Sequence, residues 1–433
     1  MDVHKSKQRR LLEMRKIRPV ILVNFYSPVL SGGYRRNFEI LKLGRSEGID
    51  YIVLTDLQSC KNAIRMFPDY MKVLSNYRVY IKDFKEMQSS IPVLKQAFFY
   101  VSLLRSALSV SKVAVQEAAD LIVGGELLRS LLASYLAGKF CSKPWTAIFQ
   151  PTTDLLQPSN SFTPLHIFNV LRFISQKPSA KNLSLLYRVG IAFNLLVQLK
   201  VAEKSLMLPV SSSVVEELNF LNPKIRFYVI EPGNGINLEK SGITSGLKKE
   251  CDAIFFARLI PEKGLYDLPL IWKYVTRKIP KATLRVAGIT EDRRYVNHFL
   301  ELVRKLRLGQ NIIFLGRLEE NALINLVKSS KLTLYPSLVD SFSLVTLESL
   351  ACGTPVVAYD IPAIRHNFGR CASVIRCPVE DSKCMAEKIL SILKNEKLRE
   401  DLSRKAKTYS ANYDWRNVVK AEKNGYFEVV EHS

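Results

Sequence analysis

The chain reads as an α/β protein made of two doubly wound, Rossmann-like domains, and three observations predict this. Its 433 residues are 47% hydrophobic, enough to fill two cores. Apolar runs of strand length alternate with segments of helix length along the whole chain. Several of those runs stop at a short polar or glycine-containing loop just before a helix, the layout that brings successive loops to one edge of a parallel sheet. The boundaries follow from composition: an N-terminal domain over residues 1–235, a hinge over 236–249 with its Gly and Ser content, a C-terminal domain over 250–410 and a terminal helical segment over 411–433. A cleft between the two domains is the expected site.

Taken in order, Arg18 to Gly33 predicts a strand running into a Gly-Gly loop, with a helix from Tyr34. Gly32 and Gly33 would let the backbone approach a ligand phosphate there. Asp120 to Glu126 and Ile148 to Asp154 predict two further strand ends, and Val229 to Asn237 a strand closing the first domain with an Asn-Gly turn. In the second domain, Ala253 to Gly264 reads as an apolar strand followed by a loop from which Arg258 and Lys263 can reach one phosphate group, with Gly264 turning the chain. Strand-like runs at 282–288 and 311–316 follow.

The most informative stretch is Tyr335 to Tyr359. It predicts a buried strand over 332–335, a tight loop holding Asp340, a short helix carrying Glu348 and closed by Gly353, and a second buried strand over 355–359. Backbone N–H groups from Ser341 to Val345, with the helix dipole behind them, suit a diphosphate. Two carboxylates so close to an anion would repel it unless they face neutral hydroxyls, so Asp340 and Glu348 are expected to accept hydrogen bonds from sugar.

At these residues the chain resembles the retaining glycosyltransferases of family 4, which have the GT-B fold. Their frame of an acid, seven residues and a Glu is met by Asp340 to Glu348, although Asp340 stands for a Glu and Ser343 for a Gly or Pro. Their Gly-Arg-Leu-x-x-x-Lys-Gly pattern is met at 257–264 with Ala257 in place of the first Gly. The resemblance implies that Arg258 and Lys263 neutralise a departing diphosphate, that Ser341, Phe342, Ser343 and Leu344 present backbone amides to phosphate and sugar, and that Asp340 grips sugar hydroxyls. It assigns Glu348 to the ribose, Leu318 to the base and Gly33 to the phosphates. The terminal helix from Tyr413 would cross back to the first domain. Arg258, Lys263 and Asp340 are thus the expected catalytic residues, with a UDP- or GDP-hexose as donor substrate and no cofactor.

Many family members carry histidine at two strand ends where this chain has Gly124, Gly125 and Gln150. Either activity is lost, or the donor's own phosphate oxygen takes the acceptor proton, as proposed for front-face retaining transfer. Gln150, Asp154 and Glu126 remain available to orient the sugar or the acceptor.

The formal charge of +23 calls for a partner. Lys5, Lys7, Arg9, Arg10, Arg15, Lys16 and Arg18, interleaved with Leu11, Leu12 and Met14, suit an amphipathic segment resting on anionic lipid. Apolar segments at 97–104 and 189–199 are too short to span a bilayer and fit either interfacial contact or a core. The short, interrupted apolar run at 20–23 argues against a signal peptide, and seven cysteines without a Cys-x-x-Cys pair suit reduced cytosolic thiols. Five dispersed histidines predict no metal site.

The sequence therefore predicts a metal-independent hexosyltransferase acting from a nucleotide-sugar on an acceptor hydroxyl, cytoplasmic and peripheral at a membrane face. A lipid-linked glycan or glycolipid is the expected acceptor. Two alternatives stay open: a non-catalytic nucleotide-sugar-binding homologue, and a basic nucleic-acid-binding protein. The second lacks any recognised module, so no nucleic acid is expected as partner. An incomplete Gly-x-Gly-x-x-Gly fingerprint disfavours a dinucleotide oxidoreductase.

Overall fold

The inner apolar runs, such as Ile52–Thr55, Trp145–Phe149 and Val356–Tyr359, form strands buried on both faces, as all-parallel sheets require, while the outer runs Arg78–Ile81 and Ile312–Gly316 are partly exposed. A computed structural model describes residues 16–23, 32–82, 92–125, 128–150, 196–237, 249–290 and 292–433. The chain divides into two compact units, one of Met1–Asn234 with Trp415–Ser433 and one of Gly235–Asp414.

The first unit holds β1 (Pro19–Leu22), β2 (Ile52–Thr55), β3 (Arg78–Ile81), β4 (Leu121–Gly125), β5 (Trp145–Phe149), β6 (Leu206–Pro209) and β7 (Arg226–Phe227) in the order β3-β2-β1-β4-β5-β6-β7. The second holds β8 (Cys251–Phe256), β9 (Leu284–Ala287), β10 (Ile312–Gly316), β11 (Ser330–Tyr335), β12 (Val356–Tyr359) and β13 (Val374–Cys377) in the order β10-β9-β8-β11-β12-β13. All described strand pairs are parallel. In each sheet the winding direction reverses beside the first strand, between β1 and β4 and between β8 and β11. Those are the places where open α/β sheets leave a crevice for ligand.

Two local expectations need correction. Gly32 and Gly33 are not a loop: they open the helix Gly32–Gly44. First-turn positions need no interior N–H bond, so glycine costs less there than inside a helix. The closing strand lies earlier than 229–237, at Arg226–Phe227, and only its hydrogen-bond ladder runs on, through Tyr228 to the Met207 carbonyl and Ile230 to the Pro209 carbonyl. Pro232 and Gly233 end it, and Gly233 packs so closely that an added Cβ would lie 1.8 Å from the Val210 carbonyl oxygen.

The helix Pro92–Gln116 contains the segment at 97–104. Leu103, Ala107, Val110, Val113 and Ala114 face the core, while Val101, Leu104, Leu108 and Val115 are exposed. No described helix is long and apolar enough to cross a membrane. Most of the basic leader, residues 1–15, lies outside the described residues, as do 189–195, Glu126 and Asp154.

Sequence reading missed the polar centre of the first unit. Arg36, buried in the helix Gly32–Gly44, pairs through Nη2 with Glu422 Oε2 at 2.5 Å and donates from Nε to the Gly233 carbonyl at 2.7 Å. Tyr51 donates to Glu422 Oε1 at 3.1 Å, and Tyr426 donates to the same oxygen. Burial and then the Glu422 charge push both tyrosines well above their ordinary range. Every member is satisfied, so the helix Trp415–Glu431 is tied to the rest of its unit by a connected buried network.

Candidate active site

Parallel pairing of β8 with β11, in the register Leu332 to Ala253 and Thr333 to Ile254, ends both strands at the same level. The two motif loops leave from those ends and pack on one another. Gly264, at φ 75°, comes so near Pro336 that an added Cβ would lie 1.9 Å from its carbonyl oxygen. Only glycine fits that conformation and that space. Leu338 N–H donates to the Glu262 carbonyl at 2.9 Å, and Lys263 Nζ donates to the Val339 carbonyl at 2.9 Å. Segments some 75 residues apart thereby form one surface.

At its centre Lys263 Nζ meets Asp340 Oδ2 at 2.8 Å, with side chains 12% and 19% exposed. The Tyr335 hydroxyl donates to the same oxygen. Oδ1 accepts from the backbone N–H of Phe342 at 3.2 Å and of Ser343 at 3.1 Å. Four donors fill the roughly four acceptor positions of a carboxylate. Burial alone would raise the Asp340 pKa, but the Lys263 charge and these hydrogen bonds overcome it and hold the group at about 2. Tyr335 moves the other way, well above its ordinary range, through burial and the adjacent carboxylate.

This geometry narrows the sequence assignments. The Asp340 oxygens accept from Lys263 of the facing loop and from Tyr335, Phe342 and Ser343 of their own stretch, the last two because an Asp followed by a tight turn satisfies nearby amides. Two of the four amides expected to face the anion, those of Phe342 and Ser343, are used in this way. Thr346 N–H bonds Ser343 Oγ at 3.3 Å. Among the described residues, the first-turn N–H groups of Leu344 and Val345 have no acceptor, and these point the helix Leu344–Ala351 toward an anion.

Phe342 is a core residue, 3% exposed and edge-on to Phe368 at 5.7 Å and Tyr413 at 6.1 Å, so only its backbone belongs to the loop. Ser341 is half-buried, and its carbonyl accepts from Asn367 at 3.5 Å. Ser343 caps the helix from a left-handed conformation, φ 73° and ψ 73°, that favours glycine.

Glu348 is half-buried on the same stripe of the helix as Leu344 and Val345, while Thr346, Leu347, Ser349 and Leu350 are buried. Leu318 and Val345 both pack against the buried cluster of Ile254, Phe256, Ala287, Val327 and Cys352. Arg258, just beyond β8, is exposed and has no ion-pair partner among the described residues. Gly33 belongs to the other unit, in the helix that follows β1. Gln150 donates to Asn37 of that helix at 3.1 Å. No group of three or more His, Cys, Asp or Glu that could hold a metal occurs among the described residues.

Comparison with known proteins bears on this site directly. Residues 242–409, which contain both motif loops, match the family described as Glycosyl transferases group 1. A glycogen synthase of Mycobacterium tuberculosis is 26% identical over 176 residues, 40% of this chain and 42% of that protein. A D-inositol 3-phosphate glycosyltransferase of Salinispora arenicola is 26% identical over 227 residues, covering 47% and 50%. A phosphatidyl-myo-inositol mannosyltransferase of Mycolicibacterium smegmatis is 25% identical over 207 residues, covering 46% and 52%. The chain thus spans about half the length of the curated relatives it matches.

Solved structures extend the likeness in fold to nearly the whole chain. Sucrose-phosphate synthase from Thermosynechococcus elongatus matches with a TM-score of 0.72 at 15% identity, covering 96% of this chain and all of that one. Anabaena HepE, solved with UDP and glucose, matches with a TM-score of 0.65 at 15% identity, covering 95% and 99%. Residues 242–409 thus match the Glycosyl transferases group 1 family, and the chain's two Rossmann-like units share the GT-B fold of these structures.

Proposed function

We propose that the protein is a retaining glycosyltransferase that moves a hexose from a nucleotide-sugar to an acceptor hydroxyl without a metal ion. The single observation that carries this reading is the packing of the Arg258–Gly264 loop against the Asp340 loop at the β8/β11 crevice, inside the part of the chain that matches the family. Relatives named for glycosyl transfer, and a neighbour named for its complex with UDP and glucose, support a nucleotide-sugar as the ligand.

In this reading the leaving diphosphate gains charge as the sugar acquires oxocarbenium character, and stabilising that charge is the protein's main task. Arg258 supplies an uncompensated positive charge. The N–H groups of Leu344 and Val345 supply dipoles that need no reorganisation. Lys263 adds a charge fixed in place by Asp340, so Asp340 is a positioning residue. Glu348 accepts from the ribose, and Leu318 lies against the base.

The proposed acceptor is a lipid-linked glycan or glycolipid at an anionic membrane surface. Val101, Leu104, Leu108 and Val115 recur at spacings of three, four and seven, which makes one exposed apolar stripe, and exposed Arg105 and Lys112 run along its border. A panel of labelled nucleotide-sugars, incubated with the protein and a membrane extract, tests the whole reading. Release of nucleoside diphosphate with label entering lipid is expected, and chelator should leave it intact. Binding of donors with no release from any of them would leave a non-catalytic binder in its place.

A further inference from the structure

A pair of thiols stands apart from the site just described. Cys377 is the last residue of β13 and is buried, and Cys384 is the third residue of the helix Ser382–Lys394 and half-buried. Their sulfurs lie 2.7 Å apart, inside the van der Waals separation of two unbonded sulfurs. The turn between them is held in place: Asp381 Oδ1 caps the helix by accepting from Cys384 N–H at 2.8 Å, and the Cys377 carbonyl accepts from Asp360 N–H at 2.8 Å. Beyond the cap, Met385, Ala386, Ile389 and Ile392 anchor the helix in the core. The sulfurs need to close by only about 0.7 Å to reach the roughly 2.05 Å of a disulfide bond.

We propose that Cys377 and Cys384 are a redox-active dithiol that closes to an intramolecular disulfide by exchange with a small-molecule disulfide. Cys384, the more accessible, attacks one sulfur of the oxidant as its thiolate. That expels one small thiolate and leaves a mixed disulfide on Cys384. Cys377 then gives its proton to the expelled thiolate and attacks Cys384 Sγ, which forms the internal bond and releases the second small thiolate, and that thiolate takes up the proton Cys384 lost to solvent on ionising. Two protein thiols are oxidised and one disulfide is reduced to two thiols, with no proton or electron left over. Burial, and next the adjacent Cys384 sulfur, push the Cys377 thiol up. Cys377 is therefore the less reactive of the two toward the oxidant, and its resolving role rests on its sulfur being held against Cys384 Sγ. Held in contact, it attacks at an effective concentration of millimolar or more, ahead of free thiols in dilute solution.

The sequence makes the test direct. Trypsin cuts after Arg376, Lys383 and Lys388, which separates the cysteines into peptides 377–383 and 384–388. The full chain is treated with an oxidised small disulfide, excess thiols are blocked, and the digest is mapped without reductant. The expected result is one linked species of the two peptides, lighter by two hydrogens than their sum and undone by reductant. Separate peptides that are both blocked, or that both keep the small thiol, would overturn the proposal, as would a link between different chains. A second measurement needs no oxidation: a trivalent arsenical, which bridges two thiols, should be retained by the unaltered chain and at least about tenfold less by Cys384→Ser or Cys377→Ser, since each keeps a single attachment. Equal retention by both variants would also defeat it.

Discussion

Replacing Lys263 with Met removes the positive charge that Asp340 is built around while keeping much of the side-chain volume. The magnitude follows from the Asp340 environment. A carboxylate held at about 2, against an ordinary 3.8, stabilises the folded unit by roughly 2.5 kcal/mol at neutral pH. The sign is fixed by the direction of the shift: the folded pKa is depressed, so this stability is complete above the unfolded value near 3.8 and is lost as pH falls through about 2. Lys263→Met leaves Tyr335 and two amides to hold a charge whose side chain is only 19% exposed. Breaking such a pair costs about 3 kcal/mol, at the low end for buried pairs because three donors remain.

Hydrogen exchange in β8 and β11 reads that loss within the affected unit, where whole-chain melting of two units would blur it. The double variant Lys263→Met with Asp340→Asn should recover about 2 kcal/mol, since the orphaned charge goes with its partner. The acid limb of the single variant should also move to higher pH. Equal protection in the wild type and Lys263→Met at neutral pH, or a double variant no better than the single, would refute the argument.

Arg258→Ala, by contrast, should leave exchange unchanged and weaken nucleotide-sugar binding ten- to a hundredfold, the equivalent of roughly 1.5 to 3 kcal/mol for a charged contact, measured by calorimetry. An unaltered affinity would remove Arg258 from the site. Glu348→Gln should weaken all donors alike without changing the ranking of hexoses on one nucleotide, and a changed ranking would move Glu348 from the ribose to the sugar. Ser343→Gly should fall within about 1 kcal/mol of the wild type, because relief of the left-handed backbone offsets a small loss of capping. Ser343→Ala keeps the strain and loses the cap, so it should cost about 1 kcal/mol, and denaturant titration separates the two. Vesicle sedimentation should fall with added salt and with Leu104→Ser plus Leu108→Ser, and equal binding to neutral and anionic vesicles would count against the lipid surface.

Much of this was legible from the residues. The Arg258–Gly264 and Tyr335–Tyr359 stretches carry their own strand, loop and helix signals, and a doubly wound order was enough to expect them at neighbouring strand ends. What the sequence could not display is which charges satisfy each other. Lys263 meets Asp340 because Gly264 lets one loop rest on Pro336, a contact between positions that nothing local connects. Glu422 was missed for a similar reason. It sits in a terminal helix rich in charge and looks like solvated surface until Arg36, Tyr51 and Tyr426 converge on it. The buried spacing of Val418, Val419 and Tyr426 was the available signal, since Glu422 falls on the same helical face. Gly32 and Gly33 show the opposite failure: glycine marks flexibility in sequence, yet a first helical turn accepts it.

The Lys263–Asp340 pair sets the electrostatics that a diphosphate would meet. An ammonium has three N–H donors, and two are taken, by Val339 and Asp340. On the proposed reading the third, which has no acceptor among the described residues, reaches a phosphate oxygen without breaking the pair. Lys263 therefore contributes a donor of fixed direction, but a net charge that Asp340 largely cancels at longer range. Arg258, exposed and unpaired among the described residues, contributes the reverse: little fixed geometry and a full charge. On the proposed reading, attraction of the donor rests mainly on Arg258, and alignment of its leaving group on Lys263 and the amides of Leu344 and Val345. Loss of Arg258 should then appear mostly in binding, and loss of Lys263 mostly in the rate of the bound complex.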